Sequence, residues 1–355
     1  MSNWRNDPEG AADQLIRRSL DDMEVRGRAL LAYQAGDLPA LLAQRGIDVA
    51  VWNRRVARAH QASAWPAATT CDIALLRLPK AKDEQEMAAH ACLSVLVEGG
   101  RLIVYGGNDE GIRSAARMLE ELCGSVDTLA TRGHGRVLAV RRPNDTSALR
   151  AALSKWRRVT RAMIGGTSRH WVSYPGVFAD GRIDEGTALL LANLPPLPSG
   201  GRVLDYGCGS GIIGAAAQAQ QPDLTLDLID TDAVALEAAR ENVPGARIFA
   251  GTRLGDAGKA TYAAILSNPP LHEGIAEDHA HLARLVADAP SRLTHGGTLQ
   301  MVVQRRVPLE RMLAQHFASA ATIAETGRYR VWRAVHHSPD EQQFEQLPMR
   351  KEYHP

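Results

Sequence analysis

Asn268 follows an apolar run, Ala263 to Leu266, and precedes two prolines in the stretch Ser-Asn-Pro-Pro-Leu-His-Glu-Gly that spans Ser267 to Gly274. The run reads as a buried strand, and open α/β sheets hold ligands where such strands end. The side-chain oxygen of Asn268 and the backbone carbonyl of Pro269 are acceptors that could each take one hydrogen of an exocyclic amino group, while the prolines stiffen the turn. Holding both hydrogens aims the nitrogen lone pair at an electrophile. Taken alone, an Asn-Pro-Pro turn is also an ordinary strand exit.

Upstream, Arg202 to Asp205 enters Tyr-Gly-Cys-Gly-Ser-Gly, and an alanine-rich helix opens over Ile212 to Gln218. Gly207, Gly209 and Gly211 let the backbone approach a ligand, with Cys208 as a small residue between them, and Asp205 can bind a cationic or amine group. Gly209, Gly211 and Gly214 also fit the G-x-G-x-x-G fingerprint, so the glycines alone do not separate a nicotinamide cofactor from S-adenosylmethionine. A further apolar strand, Leu224 to Ile229, ends in Asp230, Thr231 and Asp232, where a carboxylate can take the ribose hydroxyls of either cofactor. The Asn-Pro-Pro turn tips the balance: two acceptors gripping an amine suit methyl transfer and have no use in hydride transfer.

These stretches resemble the bacterial ribosomal RNA guanine-N2 methyltransferases of the RsmC/RlmG family, the small-subunit (16S) type most closely and the large-subunit (23S) type as a near relative. The resemblance rests on Tyr174 to Thr187, Val203 to Gly211, Ile265 to Gly274 and Thr326 to Ala334, and in the first half on Leu76 to Lys82 and Glu98 to Ser114. It implies an α/β fold of two tandem Rossmann-like class I methyltransferase domains, the N-terminal one degenerate. It also implies S-adenosylmethionine as cofactor, held by Asp205, Gly207, Cys208, Gly209, Gly211, Asp230, Thr231 and Asn268, and transfer to a guanosine N2 amine in 16S rRNA gripped by Asn268 and Pro269. Pro270, Leu271 and Phe178 would meet the base. Leu271 stands where the family carries an aromatic residue, which leaves stacking to Phe178, Tyr174 or Trp171. Gly251 and Thr252 stand where the family carries an amide near the adenine. Methylation of 23S rRNA, of an adenine or of a protein glutamine are the alternatives, and a non-catalytic RNA-binding assembly factor is the alternative of another class.

The 355 residues suit two domains, and the aliphatic, alanine-rich composition suits α/β layers. The two halves echo each other in order: Asp72 to Lys80 with Tyr262 to Pro270, Leu96 to Leu102 with Leu293 to Leu299, Arg117-Met-Leu with Arg311-Met-Leu, and Arg136 to Val140 with Val331 to Val335. The Gly-Gly pairs in the second echo read as helix caps before a strand. Residues 1–150 then form a degenerate copy that orients RNA or supports folding, residues 151–338 the catalytic domain, and residues 339–355 a mobile tail. Thr146 to Arg161 reads as the connecting helix.

A net charge of +1 excludes nucleic-acid binding by bulk charge. Local clusters remain: Arg54, Arg55 and Arg58; Lys155, Arg157, Arg158 and Arg161; and Arg328, Arg330 and Arg333. Each could meet phosphate or be a solvated face. Cys71, Cys92, Cys123 and Cys208 lack C-x-x-C spacing, and His279 and His281 point to different faces of one helix, so neither disulfides nor a metal site is expected. With no spanning apolar run and no signal peptide at the start, the reading is a cytoplasmic monomer whose partner is rRNA or the 30S subunit and that meets no membrane.

Overall fold

The computed structural model describes residues 8–21, 23, 25–33, 36–56, 61–269 and 275–337. Pro270, Leu271 and His272, Arg58 and the tail beyond 337 lie outside the described residues. The chain divides into two compact units. The first comprises Met1–Arg158 with Ser173–Asp180 and Asp232–Val234; the second comprises Val159–Val172, Gly181–Thr231 and Ala235–Pro355.

The first unit runs α1 (Pro8–Ser19), β1 (Arg28–Ala32), α2 (Leu38–Gln44), β2 (Asp48–Trp52), β3 (Cys71–Arg77), α3 (Lys82–Ser94), β4 (Leu96–Gly107), α4 (Ile112–Cys123), β5 (Asp127–Arg132) and β6 (Gly135–Arg141). Its six strands lie in the order β2-β1-β3-β4-β6-β5, parallel through β4 and antiparallel at β6 and β5. Alternate residues of β1 feed opposite faces: Leu30 and Ala32 pack with Ala88, Leu93 and Leu119, and Leu31 packs with Ile16, Leu38 and Leu42. Both faces of the sheet are therefore covered, which is why its strands are near-continuous apolar runs.

The second unit opens on a hairpin of β7 (Arg158–Ile164) and β8 (Thr167–Ser173), and continues with α5 (Glu185–Leu191), β9 (Arg202–Tyr206), α6 (Ile212–Gln220), β10 (Thr225–Asp230), α7 (Ala233–Asn242), β11 (Arg247–Ala250), β12 (Tyr262–Ser267), α8 (Ile275–Asp288), β13 (Leu293–Gln304), α9 (Leu309–Ala314), β14 (Ser319–Glu325) and β15 (Tyr329–Val335). Its main sheet follows the order β11-β10-β9-β12-β13-β15-β14, again parallel through β13 and antiparallel at the last two strands. Strand order reverses between β9 and β12, and the crevice at such a switch point is where ligands sit in open α/β sheets.

Both sheets carry the same irregularity. β3 pairs Cys71 with Leu96 and then Ile73 with Arg101, and β12 pairs Tyr262 with Leu293 and then Ala264 with Thr298. This register aligns Cys71, not Asp72, with Tyr262, so the echo read from sequence is one residue out. The Gly-Gly pairs lie inside the long strands β4 and β13, not at helix caps. Gly99 and Gly296 take φ of 75° and 70°, and a Cβ on Gly100 or Gly297 would stand 2.9 Å or 2.8 Å from a backbone carbonyl. The expected helix over Thr146 to Arg161 is absent. A 3-10 turn (Leu153–Trp156) seats the buried Trp156, and β7 follows, because Val159 and Thr160 favour strand and Gly165-Gly166, at φ of 56° and 76°, turns it back as a hairpin.

Candidate functional site

Asp205, Asp230 and Asn268 all stand at the carboxyl ends of β9, β10 and β12, the three adjacent strands at the switch point. Asp205 is the penultimate residue of β9 and fully buried, with one side-chain oxygen accepting from the Gly214 N–H at 2.8 Å. The other oxygen has no partner among the described residues. Burial, with the Asp230 charge adding to it and the Gly214 bond opposing it, pushes the carboxyl up to about 7. A carboxylate thus already caps the amino end of α6, the place a dinucleotide pyrophosphate needs.

The backbone of the loop after β9 is committed in the same way. Gly207 and Cys208 both donate to the Ile229 carbonyl at 2.9 and 3.0 Å, Gly211 donates to the Cys208 carbonyl, and the Gly209 N–H donates to the Asp230 carboxylate at 2.8 Å. Gly207, Gly209 and Gly211 take φ of 71°, 53° and 89°. Their roles differ. A Cβ on Gly211 would press on Val243 at 2.8 Å, whereas one on Gly209 would meet nothing within 4 Å. Gly211 serves packing and Gly209 faces open space, as a glycine opposite a ligand should. Cys208 is buried and free, with no sign of a nucleophile's setting. Thr231 is half-buried beside Asp230. Beyond β11 the Gly251 N–H donates to the Asp230 carbonyl, and Asp256, which the sequence gave no reason to single out, accepts from the N–H groups of Thr252 and Arg253. Tyr206 donates its hydroxyl to the Thr252 carbonyl at 2.7 Å.

Asn268 is half-buried and its amide has a fixed sense. Its Nδ2 donates to Thr187 Oγ1 at 2.9 Å and lies 3.4 Å from Asp184, and the Thr187 hydroxyl in turn donates to Asp184 at 2.5 Å. Asp184 is the N-cap of α5, its other oxygen accepting from the Gly186 and Thr187 N–H groups. Only acceptors meet the nitrogen, so the carboxamide oxygen is the end left to receive a donor, next to the buried Pro269. Asp184 and Thr187 were missed as site residues; the signal was a helix-capping Asp followed three residues later by a hydroxyl.

Other expected residues lie elsewhere. Trp171 is 1% exposed with its indole N–H donating to Ser210, and Tyr174 is 4% exposed, so neither is free to stack on a base. Phe178 is 52% exposed and belongs to the first unit. Arg54 is fully buried among carboxylates and Arg55 forks onto Glu84, so the first basic cluster meets protein. In the third cluster Arg328 pairs with Glu185 and Arg330 with Glu325, while Arg333 donates to Gln300. Among the described residues no group of three His, Cys, Asp or Glu side chains could hold a metal, and no helix is long and apolar enough to cross a membrane.

Comparison with known proteins agrees with this geometry. The family model described as methyltransferase small domain matches residues 169–333, and its N-terminal companion matches residues 13–156. A protein of Alteromonas mediterranea named ribosomal RNA small subunit methyltransferase C is 34% identical over 266 residues, covering 74% of this chain and 72% of that one. Its namesake in Shewanella halifaxensis is 30% identical over 354 residues, covering 91% and 98%. In fold, the chain matches a T. thermophilus 16S rRNA N2-guanosine methyltransferase, solved with AdoMet and guanosine, at a TM-score of 0.77 over 92% of both chains with 22% identity.

Proposed function

The chain belongs to the ribosomal RNA small subunit methyltransferase C family, and from that premise we propose that it methylates the exocyclic N2 amine of a guanosine in 16S rRNA. S-adenosylmethionine, when bound, supplies an electrophilic methyl group. The residues present fit it: the orphaned, buried Asp205 oxygen suits a cationic group, Gly209 leaves room for a ligand, and Asp230 with Thr231 suits ribose hydroxyls. Gly207, Cys208 and Gly211 shape that loop.

The observation that carries the chemistry is the locked amide of Asn268. Thr187 and Asp184 hold its nitrogen, so its oxygen and the Pro269 carbonyl can each accept one hydrogen of the guanine amine. That amine is a weak nucleophile because its lone pair is delocalised into the ring. Two acceptors favour a pyramidal nitrogen and stabilise the positive charge that grows as the new N–C bond forms, and they are fixed before the reaction begins. The methylated nitrogen is then acidic enough to release its proton to water. The target base leaves its stack to reach the pocket, with Pro270, Leu271 and the exposed Phe178 as its apolar contacts. The protein acts as a cytoplasmic monomer on rRNA or the 30S subunit.

The test incubates the full chain with labelled S-adenosylmethionine and, separately, 30S subunits, 50S subunits and deproteinised rRNA, then digests the RNA to nucleosides. N2-methylguanosine from small-subunit material is the expected product. Label in large-subunit RNA, adenosine or protein would overturn the target, and cofactor binding without any label would overturn catalysis.

A further inference from the structure

Arg54 comes from the half of the sequence that lacks the glycine loop, and it has no exposed surface. Its Nε donates to Asp232 at 2.8 Å, its NH1 donates to the Pro175 carbonyl at 2.7 Å and lies 3.3 Å from Glu84, and its own carbonyl accepts from the Ala233 N–H at 2.9 Å. Arg55 reinforces the same partners. It forms a β-bridge with Asp232, forks onto Glu84 at 2.7 and 3.0 Å, and stands 3.5 Å from the second Asp232 oxygen. Asp232 also accepts from the Val234 N–H at 2.9 Å, which fixes the entry to α7. Gly176 is pressed against the cluster, since a Cβ there would stand 2.6 Å from Glu84 and 2.9 Å from Arg54.

The first unit thus takes in residues 232–234 through one buried cation. Asp232 is two residues beyond Asp230, and consecutive Cα atoms are about 3.8 Å apart, so Asp230 cannot move far from a fixed Asp232. Burying two arginines with two carboxylates has a large desolvation cost, and well-packed apolar residues could hold a fold as firmly. What an apolar cluster could not do is fix the direction of a neighbouring carboxylate, because a forked guanidinium imposes geometry that packing does not.

We propose that Arg54 is a positioning residue for the ribose of the cofactor: by holding Asp232 it sets where the Asp230 carboxylate stands. This rests on the reading of the site as one for S-adenosylmethionine. The degenerate half is then retained in part because it supplies this arginine.

The experiment titrates the full chain with S-adenosylhomocysteine and with its 2′,3′-dideoxyribose analogue, for the wild type, Arg54→Lys and Asp232→Asn. Lysine keeps the charge and loses the fork; asparagine keeps the shape, and serves if the lysine variant does not fold. The variants should bind S-adenosylhomocysteine roughly tenfold more weakly while the dideoxy analogue changes by less than about twofold, so that the wild-type preference for the hydroxylated ligand collapses. Parallel weakening of both ligands, or a lowered melting temperature with both affinities intact, would assign Arg54 a structural role and overturn the inference. A wild type that binds neither ligand would bring down the cofactor assignment itself, and this inference with it.

Discussion

In the first sheet the residue that leaves the central strand is Tyr33; in the second it is Gly207. The strand registers make them counterparts, because Ile73 and Ala264 follow the same slip and pair with Ala29 and Val203. By the same register Leu31 matches Asp205, Asn53 matches Asp230 and Arg77 matches Asn268. Tyr33 keeps the left-handed backbone, at φ of 63° against 71°, so the exit was retained when the glycine was not. Its ring meets Trp52 edge-on at 5.2 Å, and Trp52 lies 6.3 Å from Trp65. At the other exit Arg77 forks onto Glu110, and Gln85 donates to the carbonyls of Pro79 and Glu110 at 2.8 and 2.9 Å. The first unit fills with its own side chains the polar and steric positions that the second leaves for a ligand. The fold needs neither the glycines nor the carboxylates, which separates what holds the sheet together from what the site requires.

Making the second copy resemble the first should break function most completely at Asp205. Asp205→Leu is expected to abolish cofactor binding in titration calorimetry. The same change should raise stability by about 1–3 kcal/mol at pH 8, since it removes a buried carboxylate and leaves only the Gly214 N–H without its acceptor. The sign follows from the raised carboxyl, at about 7 against a usual 3.8. The folded protein holds this proton more tightly than the unfolded chain, so the penalty is absent below the unfolded value, grows as pH rises, and is complete above about 7. A cation bound at Asp205 favours the ionised form, so cofactor affinity should fall as pH drops below about 7, with proton uptake by the free protein. Affinity that is flat between pH 6 and 8 would remove Asp205 from cofactor binding.

Asn268→Ala should sharpen the contrast between binding and turnover. Loss of one preorganised charge-stabilising group costs roughly 10²- to 10³-fold in kcat, while the cofactor dissociation constant should stay near wild type. Retention of full turnover would refute the amine grip. Thr187→Val tests the support of that group. It leaves Asn268 in place but frees its amide to flip, and one lost hydrogen bond is worth about tenfold or less in rate. Rate should fall with little change in KM for the cofactor.

The strands and the glycine loop were legible because a sheet buried on both faces writes itself as apolar runs ending in glycine or proline, as at Ala263 to Leu266 and Arg202 to Gly211. The duplication was legible in order but not in register, since short echoes cannot see the two extra residues of each slip. The helix expected over Thr146 to Arg161 was lost to Gly165-Gly166, a hairpin signal lying just beyond it. Arg54 was read as a surface cation because its partner Asp232 is 178 residues away, and no local pattern reveals such a pairing. Asp184 and Thr187 sat inside a recognised motif, yet their task, fixing the sense of one amide, exists only once α5 and β12 are packed together.

The smallest effect falls on the feature the copies share. Gly99 and Gly296 occupy the same place in the two slips, with φ of 75° and 70° and open space where a Cβ would go. Nothing steric distinguishes them, so the cost of alanine at either is the cost of a left-handed backbone, about 1–2 kcal/mol. Gly99→Ala and Gly296→Ala should therefore lower stability equally in denaturant melts, and neither should alter the cofactor dissociation constant, because both slips lie at the strand ends opposite the site. Unequal losses would mean that the shared register conceals different local packing. A change in cofactor affinity from Gly296→Ala alone would mean that β13 transmits strain to β12 in a way its counterpart in the first sheet has no occasion to do.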